Sequence, residues 1–200
     1  MGPGEGWSGI LPDMAPLLVS FVGGTSGSWE VERIEAVKGA PLPGVERLAV
    51  VEGTDARPPT GFVWALRGVT SNERYVGVKD RAELVARQQP LGRPDASRAA
   101  LIPITKTMAW WDMTQEERLD IFARRSGHVR IGLEYLPAVA RRLHHGRDLG
   151  EEFDFLTWFE YAEEAAGAFE ELVARLRETP EWSFVEREVD IRLVRTPGGT

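Results

Sequence analysis

The side chains whose types and spacing could support chemistry are three histidines, one oddly placed arginine and a pair of adjacent tryptophans. The histidines are His128, His144 and His145. The last two are neighbours, so on a strand they face opposite sides and cannot both reach one metal from one face. No His-x-x-His or His-x-x-x-His spacing exists, which argues against a zinc site. His128 opens a helical pattern whose apolar positions face a sheet, so it can point into the space between them. A lone histidine in that setting is more often structural than a ligand. Arg141 lies on a strand run beginning at Val139, with Val139, Leu143 and His145 as its face-mates. A guanidinium on that face either meets an anionic partner or lies on an edge strand that leaves it in water. Trp110 and Trp111 stand side by side near a strand end, where packing is their usual work. Lys106 nearby reads equally well as a solvated charge.

Composition bounds what these residues can do. The chain has 200 residues, 42% hydrophobic and 28% charged, enough for one ordinary domain or two small ones packed together. With 24 Lys and Arg against 31 Asp and Glu the net charge is −7, which argues against a nucleic-acid or anionic-membrane partner. A small anionic substrate would need local positive charge to be held. No run approaches the roughly 18 apolar residues of a membrane-spanning helix. The absence of cysteine removes disulfides and thiolate ligands, and fits a cytoplasmic protein. Any metal or haem must therefore be held by His, Met, Tyr or carboxylates. Apolar walls with one histidine, one arginine and several of the seven tryptophans suit a haem pocket.

The elements that must position these residues follow from hydrophobic periodicity. Residues 1–14 read as a disordered lead. Leu17–Val22, Trp29–Val37, Glu46–Val51 and Phe62–Leu66 are strand-like runs bounded by Gly, Pro and Ser. Glu52–Thr60 is a polar loop, and Lys79–Gln88 is a candidate helix closed by Pro90 and Gly92. Ala99–Lys106 reads as a buried strand. Thr114 and Glu117 form a capping box that starts a helix through Leu119 and Phe122. The helical pattern resumes at His128 and ends at Pro137. Val139–Leu149 and Asp154–Tyr161 alternate as strands. Phe169, Leu172, Val173 and Leu176 mark an amphipathic helix. Val185, Val189, Ile191 and Leu193 alternate with Glu186, Glu188, Asp190 and Arg192, a strand with one wet face. The order β-α-β-β-α-β is the ferredoxin-like plan. The fold class is thus α+β, and the N-terminal half, residues 15–95, looks like a shortened copy of the layout in residues 96–197.

Three stretches carry a resemblance: AALIPITKTMAWWDMTQEER, then GHVRIGLEYLPAVARRLHHGRDLGEEFDFLTWFEY, then LRETPEWSFVEREVDIRL. Through them the chain resembles the chlorite dismutase family, in its short dimeric branch, closely over residues 99–195 and in outline from Thr25 to Arg195. The resemblance implies two ferredoxin-like subdomains, the fold of a dimeric α+β barrel, with one haem b per subunit, carrying a single iron, in the C-terminal subdomain of a homodimer. It also implies decomposition of chlorite to chloride and dioxygen, with hypochlorite recombining with a ferryl oxygen. His128 falls on the proximal haem ligand. Glu181, in the Pro180-Glu181-Trp182 turn, falls on the carboxylate that hydrogen-bonds this histidine. Arg141 matches the distal arginine. Gln88, with Gln89 beside it, matches a glutamine that restrains that arginine. Tyr75, Lys106 and Trp110 fall on positions resembling the propionate-binding set. The same superfamily includes haem-maturation decarboxylases and peroxidases, and a non-catalytic haem-binding dimer is a further alternative. The decarboxylase relatives usually carry a neutral residue where Arg141 stands.

Overall fold

Strands dominate because most of the chain alternates branched or aromatic residues with polar ones between Gly- and Pro-rich turns. The computed structural model describes residues 17–53, 61–70, 87 and 90–196. The strands are β1 (Leu18–Gly24), β2 (Trp29–Lys38), β3 (Arg47–Glu52), β4 (Phe62–Thr70), β5 (Arg98–Lys106), β6 (Val139–His145), β7 (Phe155–Tyr161) and β8 (Val185–Arg195). They close into a barrel in the order β1-β3-β2-β8-β5-β7-β6-β4. Read around the ring, each set of four runs fourth, first, third, second, and every recorded pairing is antiparallel. That is the strand order of a ferredoxin-like sheet, present twice. In the first set the connection between β1 and β2 is only residues 25–28, where the second set has helices. The first half is shortened at that point.

Inward-facing residues from both halves fill the barrel: Phe21, Leu48, Trp64, Leu101, Leu156, Trp158, Ile191 and Leu193. A second apolar layer lies outside β5, β6 and β7. There Phe169, Leu172, Val173 and Leu176 of the helix Ala166–Arg177 pack with Ile131, Tyr135, Phe159 and Tyr161. The four helical positions expected to face the sheet are all buried. The candidate helix Lys79–Gln88 lies outside the described residues, apart from Arg87.

Three local expectations change. The strand expected over Val139–Leu149 stops at His145, and residues Arg147–Leu149 form a 3₁₀ turn. Gly146 marks the stop: a Cβ there would overlap the Phe153 carbonyl, so the chain turns where only glycine fits. The helix capped by Thr114 is α-helical only over Gln115–Leu119 and widens into a π turn over Asp120–Arg125. Beyond Glu186, which is exposed, the expected wet face of β8 is buried. Glu188 and Asp190 are 0% and 1% exposed, and Arg192 is buried with them. The Ala166–Arg177 helix covers this face, and its Arg177 donates to both Glu188 and Asp190. Arg192 pairs with Asp190 and Glu170, so the charges there are compensated by one another rather than by water.

Leu172, 1% exposed at the centre of the outer layer, tests that packing. Leu172→Ala should cost about 2–5 kcal/mol in urea unfolding, through lost apolar transfer and the cavity left behind. A cost below about 1 kcal/mol would mean the helix contributes little to the core.

Candidate functional site

The site begins with backbone geometry. The π turn Asp120–Arg125 closes with the Ser126 amide donating to the Ile121 carbonyl, an i to i+5 bond. Gly127 then takes a left-handed conformation, φ 59°, and the helix His128–Glu134 starts immediately after it. This sequence of turns sets His128 at the first helical position and brings the Phe122 ring onto its imidazole, with centroids 4.4 Å apart.

His128 Nδ1 lies 2.8 Å from Glu181 Oε2, and Lys106 Nζ donates to Glu181 Oε1 at 2.8 Å. Glu181 belongs to a 3₁₀ turn, Pro180–Phe184, and is 5% exposed. Its backbone amide donates to Ser126 Oγ, which fastens the turn to the residue two places before the histidine. Burial alone would push the Glu181 carboxyl upward. The His128 and Lys106 charges and hydrogen bonds outweigh that and hold it at about 2. A fixed carboxylate accepting from Nδ1–H selects the tautomer in which Nε2 keeps its lone pair. That is the usual support for a metal-ligating histidine.

Lys106 is not a solvated charge. It is 4% exposed, its ammonium bound to Glu181 and its backbone amide donating to the buried Asp154 at 2.7 Å. A lysine so placed anchors the carboxylate behind His128. Trp110 Nε1 is buried and has no hydrogen-bond partner among the described residues, so it remains a donor for an acceptor that those residues do not supply. Trp111 Nε1 donates instead to Asp154, and its ring lies under Arg147. Tyr75 and Gln88 lie outside the described residues.

Arg141 lies across from this cluster. On β6 it is paired with Phe159 of β7, and on the same outward face Leu143 pairs with Thr157 and His145 with Phe155. The face-mates are those expected from alternation. The guanidinium lies against Gly132, one helical turn after His128, where a Cβ would overlap it. Burial pulls the Arg141 pKa down to about 10, which leaves the group charged at neutral pH. His144 points the opposite way, edge-on to Phe21 in the barrel, with Nδ1 against the Leu156 carbonyl. Burial pushes its pKa down to about 4, so it is a neutral core histidine.

Several of these residues carry no sequence signal of their own. Ser126, Phe122 and Gly132 reach the site only through the π turn and the helix that follows it. Among the described residues no cluster of three or more His, Asp or Glu side chains could hold a bare metal ion. The arrangement suits a group that brings its own equatorial ligands and needs one axial nitrogen. Trp110 offers a buried donor, and Gly132 lets the Arg141 guanidinium approach the helix one turn after His128. The observed residues therefore fit a planar tetrapyrrole.

A sequence model of the family described as chlorite dismutase matches residues 52–196, most of the chain. The chain belongs to the chlorite dismutase family. A curated chlorite dismutase of Ideonella dechloratans is 38% identical over 88 residues, 44% of this chain and 29% of that protein. The matched stretch thus spans under a third of that relative's length. The crystal structure of a dimeric chlorite dismutase from Nitrobacter winogradskyi is similar at 51% identity and TM-score 0.82. That match covers 89% of this chain and 99% of the other. A mutant chlorite dismutase from Candidatus Nitrospira defluvii matches at 18% identity and TM-score 0.61, over 90% of this chain and 91% of the other, and shares the fold. No helix among the described residues is long and apolar enough to cross a membrane.

The Glu181 carboxyl is depressed in the folded chain, so it adds stability that is full above its ordinary value of 4.5 and is lost as pH falls toward about 2. The urea-unfolding gap between wild type and Glu181→Gln should be wide at pH 6 and narrower at pH 3. A gap that does not change with pH would mean the carboxylate charge plays no part in it.

Proposed function

We propose that this chain binds one haem b through His128 Nε2 and decomposes chlorite to chloride and dioxygen. The observation that carries the reading is the pairing of two features on facing elements. One is a histidine backed by a buried carboxylate, and the other is a charged, half-buried arginine on the strand that faces the histidine's helix. Bound haem would supply the iron that takes up chlorite and the redox change that breaks and remakes bonds to oxygen.

The chain's own residues do the rest. Glu181 holds the His128 ring at one angle and in one tautomer, and gives it anionic character that favours oxidised iron. Lys106 keeps Glu181 ionised without leaving the carboxylate to water. Trp110 Nε1, buried without a partner among the described residues, would donate to a propionate carboxylate. Arg141 supplies the local positive charge that a chain of net charge −7 needs to attract chlorite. The same cation would keep a hypochlorite anion close in the pocket, a proximity effect. Gln88 is assigned to restrain Arg141 and Tyr75 to the propionate set on family resemblance alone. We read the protein as a homodimer, because the Nitrobacter relative at 51% identity is dimeric.

Addition of hemin to the purified chain should produce a Soret band that His128→Ala fails to form at equal stoichiometry. No band with the wild type would overturn the haem reading. Arg141→Ala, loaded with haem as judged by its spectrum, should release oxygen from chlorite on the order of 10²-fold more slowly at an oxygen electrode. Release at the wild-type rate would remove Arg141 from the reaction.

A further inference from the structure

The buried acidic face of β8 does more than hold a helix down. Glu188 Oε1 accepts from Arg177 Nε at 2.9 Å and Nη2 at 2.6 Å, while Glu188 Oε2 accepts from Trp182 Nε1 at 3.1 Å. Trp182 is the residue after Glu181, on the same Pro180–Phe184 turn. Its ring faces the Lys106 ammonium with 5.6 Å to the centroid, and Trp110 faces the same ammonium at 4.8 Å. Lys106 therefore sits between two indole faces, with the Glu181 carboxylate as its one charged hydrogen-bond partner among the described residues.

We propose that Trp182, held at its angle by Glu188, is a positioning residue that sets how strongly Lys106 neutralises Glu181, and through it the electron donation of His128. The proposal rests on the haem reading above. Its physical basis is screening. A cation between aromatic faces is attracted to both rings and shielded from water. Its pull on a neighbouring carboxylate is strong because the local dielectric is low. If the Trp182 ring swings away, water reaches the ammonium and the Lys106–Glu181 attraction weakens. Glu181 then carries more uncompensated charge and accepts more strongly from His128 Nδ1–H, which makes the imidazole a stronger donor to iron. A ring that merely filled space would need no anchor. The indole N–H ends instead on a carboxylate that is 0% exposed and whose other oxygen is fixed by Arg177.

The experiment uses full-length protein loaded with hemin, and reads the iron–histidine stretch of the ferrous form by resonance Raman together with the haem midpoint potential. Trp182→Phe, which keeps an aromatic ring but loses the N–H to Glu188, should raise the stretching frequency and lower the potential. Glu188→Gln keeps an acceptor for that N–H and should stay near the wild-type values. Asp190→Asn breaks an Arg177 contact without touching Trp182, and should lower stability yet leave both readings in place. An unshifted Trp182→Phe overturns the proposal. So does a downward frequency shift, which signals loss of the His128–Glu181 bond, or an Asp190→Asn shift of equal size, which signals general loosening. Failure of the underlying haem reading is separate, because the wild type would then show no Soret band at all.

Discussion

A carboxylate buried between an imidazole and an ammonium is the constraint around which this structure is arranged. Glu181 is almost wholly removed from water, and a lone charge there would cost several kcal/mol. Both of its oxygens are bonded, one to His128 and one to Lys106, and its amide is held by Ser126. Each partner comes from a different part of the chain: the end of β5, the start of the His128 helix, and the residue closing the π turn. The three must arrive in register for the charge to be tolerated. A misplaced turn at 180–184 would therefore strand an ion as well as misalign a ligand.

That coupling explains why the surrounding backbone is irregular where the rest of the barrel is regular. The π turn and the left-handed Gly127 depart from ideal helix between Leu119 and His128, and together they set the angle at which the histidine enters. Such departures persist in folded chains where the neighbouring contacts over-determine them. Here the contacts are the Phe122 ring on the imidazole and the Ser126 hydroxyl on the Glu181 amide.

Sequence reasoning reached this site unevenly, for identifiable reasons. Strand and helix positions were legible because alternation and the Phe169-Leu172-Val173-Leu176 spacing report burial directly. His128 and Arg141 stand out as polar types on faces that the pattern makes apolar, and family resemblance gives them roles. The burial of Lys106 is not legible in the sequence because its partner is 75 residues away, and no local pattern distinguishes a lysine bound to a carboxylate from one in water. The polar side of β8 was misread for the same reason. Glu188, Asp190 and Arg192 alternate like a solvent face, and only the covering helix with Arg177 reveals that they compensate one another indoors.

Among the described residues the ring of strands is closed by two seams of unequal length. Between β2 and β8 the register runs from Trp29 opposite Arg195 to Lys38 opposite Glu188. Between β4 and β6 the described residues contribute only two pairs, Val69 with His145 and Thr70 with His144. Lys106, His128, Arg141 and Glu181 all lie within β5 to β8 or their connections, so the site is assembled inside one half of the chain. That half can pair its own strands through contacts closer in sequence than those of the long seam, which joins residues from opposite ends of the chain. Each half can therefore pair within itself before the two join along β8 and latch at the short seam. Amide exchange would therefore be expected to begin at that latch, on the side of the barrel away from β8.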